Sequence, residues 1–88
     1  MKSVWKFELD PNSLVCDMPE GAKVLTAAAQ GSKVCVWAEV DTSQPCQPVE
    51  FEAYCTGAEM PENPGRYIGT ALLGHGALVF HIYVKGQA

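Results

Sequence analysis

Residues 66–85 constrain the fold of this chain more than any other segment. Their sequence, RYIGTALLGHGALVFHIYVK, is the most apolar and most clearly alternating stretch in the chain. The alternation predicts two β-strands, and the Gly-His-Gly between them predicts a tight turn. The second strand divides its side chains into Leu78, Phe80, Ile82 and Val84 on one face and Val79, His81, Tyr83 and Lys85 on the other. Both faces are substantially apolar, so the strand is central in a sheet or meets another subunit. We therefore predict that this hairpin forms the centre of a small all-β domain.

Alternating side chains and turn residues predict strands in the rest of the chain as well, at residues 4–9, 13–18, 24–29, 33–40 and 49–56. The first two could pair as a hairpin. The third also has helical propensity, but Gln30-Gly31-Ser32 makes a good hairpin loop, so we favour a strand there. About seven antiparallel strands at a spacing of roughly 8–12 residues predict one domain over the chain, a small sandwich or barrel.

The size of the chain bears on its assembly. Eighty-eight residues suffice for one domain, and with 48% hydrophobic residues the composition is globular rather than disordered. So small a domain is marginally stable alone, and oligomerisation is a common way to add stability. We therefore expect a homo-oligomer, a dimer or a tetramer. A dense small core in a monomer is the alternative.

The charge of the chain restricts its partners and its location. A formal net charge of −4 argues against double-stranded nucleic acid, which needs clustered Lys and Arg, although it does not exclude a small nucleotide. The absence of a long apolar run predicts that no segment spans a membrane. The N-terminal residues lack the apolar region of a signal peptide, so we expect a cytoplasmic protein.

The four cysteines predict free thiols rather than a metal site. Their spacing is irregular and contains no Cys-x-x-Cys, which makes a zinc site improbable. In a reducing cytosol the thiols stay unpaired. Cys16, Cys35 and Cys55 fall inside predicted strands, so we expect them to be small core residues.

Catalytic residues are not indicated by any pattern in the chain. His75 lies between two glycines at a turn, where the backbone conformation explains the sequence. His81 lies on a strand, and nothing in the sequence orients a nucleophile against either histidine. We therefore predict a protein that is not an enzyme, with no catalytic residue, no bound metal and no cofactor.

A ligand site is better supported, at the two ends of the long connection formed by residues 57–65. We expect these ends to lie close together if their strands pair. Arginine matches phosphate with its planar fork, tyrosine offers a ring to a base, and threonine can hydrogen-bond a ligand. The candidate ligand-binding residues are Tyr54, Thr56, Arg66, Tyr67, Thr70 and His81. The alternative is that Arg66 and Tyr67 form only an amphipathic strand edge.

Three segments resemble a family of short, mostly uncharacterised bacteriophage proteins. They are VWKFEL at residues 4–9, MPEGAKVL at residues 18–25, and YIGT at residues 67–70 together with GALVFHI at residues 76–82. The closing Leu-Val-Phe-His is the most specific of these marks. The family pattern has Gly-Thr-Gly-His before the long loop, whereas this chain has Cys55-Thr56-Gly57-Ala58, so no role of that histidine is carried over.

The resemblance implies a function for the chain. Small phage β-proteins of this kind include sponges of the anti-CBASS and anti-Thoeris type, which sequester the cyclic nucleotide signals of bacterial defence. The chain is similar to such a sponge, which binds a cyclic dinucleotide or cyclic ADP-ribose without cleaving it in the host bacterial cytoplasm. The alternative is a small interaction module that inhibits or modulates a host protein.

Overall fold

The computed structural model describes residues 1–86 of the chain, and these residues fold into seven β-strands without a helix. The strands are β1 (Lys2–Leu9), β2 (Val15–Pro19), β3 (Lys23–Gln30), β4 (Lys33–Asp41), β5 (Cys46–Cys55), β6 (Arg66–Leu73) and β7 (Leu78–Val84). The predicted all-β fold of about seven strands is thus confirmed. The strand predicted at residues 24–29, for which a helix was the alternative, is β3.

The strands form two antiparallel sheets, with strand orders β1-β4-β3 and β2-β5-β7-β6. β7 is a central strand between β5 and β6, as its two apolar faces predict. The first two strands do not form the hairpin considered from the sequence, because β1 pairs with β4 and β2 pairs with β5. The local turn between them, marked by a bridge of Asp10 to Ser13, instead carries the chain from one sheet to the other.

The inner faces of the two sheets supply the hydrophobic core, and burial of these apolar side chains is the main force that holds the sheets together. The largest fully buried core side chains are Met18, Val24, Val36, Val40, Ile82 and Val84. Cys16 and Cys35 are buried, as predicted. The prediction for Cys55 is wrong, because β5 ends at this residue and leaves it exposed.

The two sheets meet along β3 and β6 without a backbone ladder. Thr26 Oγ1 donates a hydrogen bond to the carbonyl oxygen of Ile68 at 3.0 Å, and Arg66 Nη2 donates to that of Val24 at 2.6 Å. We call this contact the seam. Side-chain hydrogen bonds, rather than a ladder between paired strands, join the two sheets along this side. The fold is therefore a sandwich whose sheets are bonded to each other at one edge.

Two features of the backbone allow β3 and β6 to approach so closely at the seam. Each strand has a register shift there, between Val24 and Thr26 in β3 and between Tyr67 and Gly69 in β6, and such bulges bend a strand. Gly69 lies against β3, since a Cβ built on it would come within 2.0 Å of the Ala27 carbonyl oxygen. Any larger residue would separate the two strands.

β5 changes partners along its length. Its residues 46–50 pair with β2 on one side, and its residues 51–55 pair with β7 on the other. Consequently β2 lies beside only the first half of β5, and the second half extends past Val15, the first residue of β2. We refer to this arrangement as the split pairing of β5.

The connection between β5 and β6 runs the length of the sheet. Both strands are antiparallel to β7, so they are parallel to each other. Cys55 pairs with Phe80 and Arg66 pairs with Val84. The two ends of the connection are therefore about 13 Å apart along β7, at about 3.3 Å per residue. The two ends were expected to lie close together if β5 and β6 paired, but β7 lies between these strands and they do not pair.

Candidate functional site

The alternation of β5, β6 and β7 directs a set of polar and aromatic side chains away from the core. We call this surface the outer face. Cross-strand pairing places Tyr54 and Thr70 on either side of His81, and Glu52 and Tyr67 on either side of Tyr83. Residues opposite one another on adjacent strands have side chains close enough to interact. Five of the six predicted ligand-binding residues therefore come together on the outer face: Tyr54, Thr56, Tyr67, Thr70 and His81.

His81 is the centre of a hydrogen-bonded chain that crosses the outer face. Its Nε2 lies 2.8 Å from Thr56 Oγ1, and its Nδ1 lies 3.1 Å from Thr70 Oγ1. The Thr70 hydroxyl in turn bonds the Tyr67 hydroxyl. Which ring nitrogen donates and which accepts depends on the tautomer of the imidazole, and the threonine hydroxyls can take either role. The chain holds four side chains from three adjacent segments in one geometry.

Three tyrosine rings lie next to this chain. The Tyr83 ring makes edge contacts with the rings of both Tyr54 and Tyr67, at centroid distances of 5.6 and 5.5 Å. Edge-to-face packing of this kind is a favourable arrangement of aromatic rings. Tyr54 and Tyr83 are half-buried, whereas Tyr67 is 52% exposed. The outer face therefore combines aromatic surface with ordered hydroxyl groups.

One end of the outer face carries opposite charges. Lys85 Nζ lies 2.8 Å from Glu52 Oε1 and 3.9 Å from Glu50 Oε2. The hydrogen bond from Lys85 to Glu52 and the charge of that carboxylate raise the pKa of Lys85. A lysine held in this way stays protonated at neutral pH, but its charge is already largely matched by the two glutamates.

Arg66 lies apart from the other five predicted residues. Its guanidinium donates to the Val24 carbonyl at the seam, on the opposite side of β6 from the Tyr67 ring. The structure therefore places it where it joins the two sheets. Its sequence position beside Tyr67 could not reveal this, because neighbouring residues on a strand point to opposite faces.

Tyr83 and Lys85, which lie on the outer face, were missing from the predicted site. Tyr83 links the other two tyrosines, and Lys85 supplies an ammonium group bound to Glu52. The alternation of the last strand already placed both on the same face as His81, and that pattern was the signal that could have identified them.

A cavity of about 520 Å³ lies elsewhere, between the sheets where the second half of β5 extends past β2. We call it the end cavity. Its lining is Leu9, Pro11, Leu14, Ser32, Lys33, Val34, Ala53, Leu73, Leu78, Phe80 and Ile82. None of the six predicted ligand-binding residues lines it. Sequence reasoning missed this cavity because each of its apolar residues is also what a filled core would contain.

The described part of the chain contains no group of three or more His, Cys, Asp or Glu side chains placed to hold a metal ion. Within residues 1–86, no helix has the length and apolar character needed to cross a membrane.

One protein-family model matches the chain, and its description is a domain of unknown function, DUF7352. The match covers residues 1–88. No curated protein matches the chain, and no solved structure does.

Proposed function

The chain belongs to DUF7352, a family described as a domain of unknown function, and we propose that it binds a small cyclic nucleotide on its outer face without cleaving it. The observation that supports this proposal is the hydrogen-bonded chain from Thr56 through His81 and Thr70 to Tyr67, set beside three tyrosine rings. Such a surface has groups that can bind the base of a nucleotide and groups that can bind its ribose and phosphate. Aromatic rings accept a base by stacking, and ordered hydroxyls bond its ribose and phosphate.

The position of each group suggests how the ligand lies. The rings of Tyr67 and Tyr83 are the stacking surface for a base, and the Thr56 hydroxyl at the other end of the chain bonds phosphate or ribose. Lys85 is the cation at one end of the outer face, and a phosphate there would compete with Glu52 for it. Charge-assisted hydrogen bonds are stronger than neutral ones, so the replacement of Glu52 by a phosphate at Lys85 would determine much of the affinity.

The surroundings of His81 favour binding over catalysis. A histidine that acts as a general base is commonly oriented by a carboxylate, which also stabilises the imidazolium that forms. Here both ring nitrogens contact threonine hydroxyls, which are neutral. The ring is therefore well placed to order its neighbours.

A second copy of the chain would complete the site, and we include a homo-oligomer, a dimer or a tetramer, in the proposal. One outer face offers a single lysine, whereas a cyclic dinucleotide carries two phosphates. Two copies packed face to face would supply two lysines and enclose the bases between two sets of tyrosines. Enclosure matters because stacking and hydrogen bonding are stronger where water is excluded.

The biological setting follows from the resemblance to phage proteins. In the cytoplasm of an infected bacterium, a protein of this kind would sequester a cyclic nucleotide signal and so block antiphage defence. Sequestration needs tight binding and many copies of the protein, and it needs no turnover.

The proposal is tested by calorimetry and thermal shift with a panel of cyclic dinucleotides and cyclic ADP-ribose isomers. We expect one of them to bind, to raise the melting temperature, and to be recovered intact after the protein is denatured. At a ligand concentration of 100 times Kd, the added stability is about 2.7 kcal/mol. His81→Phe should lose the binding, while Lys6→Gln, on the other sheet, should retain it. Absence of binding across the panel would overturn the proposal.

An interaction module is the second candidate. Large side chains on the β6–β7 hairpin are exposed: Tyr67 by 52%, Leu72 by 58% and Leu78 by 52%. Surfaces that bind other proteins often present aromatic and aliphatic groups in this way. If no nucleotide binds and a purified host protein binds wild type but not Leu72→Lys, the second candidate replaces the first.

A further inference from the structure

We propose that the end cavity binds a medium-chain alkyl anion, such as a fatty acid of about ten carbons, with its head group at Lys33. The end cavity is separate from the outer face, and this proposal does not depend on nucleotide binding. It rests on three observations: the volume of the cavity, the apolar character of its walls, and the position of one lysine at its rim.

The volume is suited to a small ligand. Binding sites for small molecules are commonly about 300–1,000 Å³, and the end cavity measures about 520 Å³. It lies beside the second half of β5, where Ala53 extends past Glu50, the last residue of β5 that pairs with β2.

The walls of the end cavity exclude a polar ligand. Its depth is formed by Leu9 and Ile82, which are 4% and 1% exposed, and by the half-buried Phe80. A polar group transferred into such surroundings without a hydrogen-bonding partner is destabilised. A hydrocarbon chain, by contrast, gains free energy with every methylene group that leaves water.

The rim supplies the charge selectivity. Ser32 and Lys33, at the turn between β3 and β4, are the polar residues of the lining. Lys33 is exposed and forms no ion pair with any residue that the structure describes. The Lys33 side chain is exposed and long enough to bring its ammonium to a carboxylate at the rim while the alkyl chain fills the cavity. An alkyl cation would be repelled.

The test measures displacement of a fluorescent fatty-acid probe, cis-parinaric acid, by carboxylates of increasing chain length. Burial of each added methylene should tighten binding about fourfold until the cavity is full. Decanoate should bind more tightly than decanol, and decyltrimethylammonium should bind least. Affinity that does not depend on chain length, or no displacement at all, would overturn the proposal.

Two variants locate the ligand. Lys33→Gln should weaken decanoate binding about fivefold and leave decanol binding unchanged, because a single exposed ion pair is lost. Lys23→Gln, at the other end of β3, is the matched control and should bind as wild type does. Equal loss in the two lysine variants would place the ligand elsewhere and contradict the proposal.

Ala53→Leu adds a larger side chain to the wall of the cavity. We expect it to raise the melting temperature, because it fills the void, and to abolish decanoate binding. If this variant does not fold, the lysine pair still decides the question, since both lysines are exposed. A folded Ala53→Leu variant that binds decanoate as wild type does would overturn the proposal.

Discussion

The Thr26 hydroxyl donates a hydrogen bond to the backbone carbonyl of Ile68, 42 residues away in sequence and in the other sheet. No backbone ladder joins β3 to β6, so side chains such as Thr26 must satisfy the carbonyl groups at the seam. A partly buried carbonyl without a partner is unfavourable by about 1–3 kcal/mol. This hydrogen bond therefore helps to hold the two sheets together at the seam.

Thr26→Val should lower the free energy of unfolding by about 1–2 kcal/mol, since it leaves the Ile68 carbonyl unpaired. Urea denaturation measures this loss. Thr42→Val removes a hydroxyl that bonds the Met1 carbonyl at an exposed site, so it should change stability by less than about 0.5 kcal/mol. Equal stability of the two variants would mean that the seam does not depend on this bond.

Gly69→Ala should be more destabilising, by about 3 kcal/mol, because the new methyl would overlap the Ala27 carbonyl. Gly31→Ala is the control: its φ of 62° disfavours alanine, but nothing lies within 4 Å of the added Cβ. We expect that variant to lose only about 1 kcal/mol. Thermal unfolding of both proteins separates overlap from backbone strain, and a larger loss at Gly31 would refute the close approach.

Glu52→Gln should release Lys85 and strengthen binding of a phosphate-bearing ligand about fivefold, since a competing charge is removed. It should also lower the pKa of Lys85 towards its ordinary value, which NMR titration of the lysine can follow. Glu39→Gln, whose partner is Lys2 on the other sheet, should leave the affinity unchanged. Weaker binding by Glu52→Gln would show that Lys85 does not hold the phosphate.

Asp41 predicts a pH dependence of stability. Hydrogen bonds from the Ser43 hydroxyl and backbone N–H, and from the Met1 ammonium, hold the pKa of its carboxyl well below its usual range. A lowered folded-state pKa stabilises the protein above the ordinary pKa, and this stabilisation disappears as pH falls through the folded value.

Asp41→Asn should therefore be less stable than wild type at neutral pH, and the difference should shrink as the pH falls below about 4. Urea unfolding over this pH range measures it. Asp17→Asn, which changes an exposed aspartate on β2, should show no comparable trend. A constant difference between Asp41→Asn and wild type at all pH values would exclude the carboxylate as its source.

The cysteines should divide into two classes by reactivity. Burial, with a contribution from the charge of Asp17, raises the pKa of the Cys16 thiol, and a thiol reacts only as its thiolate. Cys35 is buried as well, whereas Cys46 and Cys55 are exposed. Mass spectrometry after brief iodoacetamide treatment should find Cys46 and Cys55 modified and the other two modified only in denaturant. Rapid labelling of Cys16 in the folded protein would contradict this assignment.

The strands could be predicted from the sequence because their signals are local. Alternation of side chains fixed the two faces of β4 and β7, and Gly31 with Ser32 fixed the turn between β3 and β4. Pairing between distant strands has no such local signal. The turn after β1 is compatible with a β1–β2 hairpin and also with a crossing to the other sheet. The structure has the crossing, because β1 pairs with β4 instead of β2.

The candidate site, like the fold, could be predicted in part from the sequence. His81, Thr70 and Tyr54 were predicted from their chemistry and the position of the long connection, and the pairing of β5, β6 and β7 places them on one face. Arg66 differs because the partner of its guanidinium, the Val24 carbonyl, lies 42 residues away on β3. The end cavity was beyond prediction for a related reason, since it depends on where β2 ends relative to β5 and leaves no trace in the residue types.

The split pairing of β5 also determines how the protein reaches its native state. The β3–β4 and β6–β7 hairpins have short turns, and isolated hairpins form in about 1–10 μs. β5 has no such hairpin partner, because β2 precedes it by two intervening strands and β7 follows it after β6. We therefore expect β5 to join after the two hairpins have formed. Until then the edge of β7 is open to the same segment of another molecule, so slow docking of β5 is the step at which this chain is exposed to aggregation.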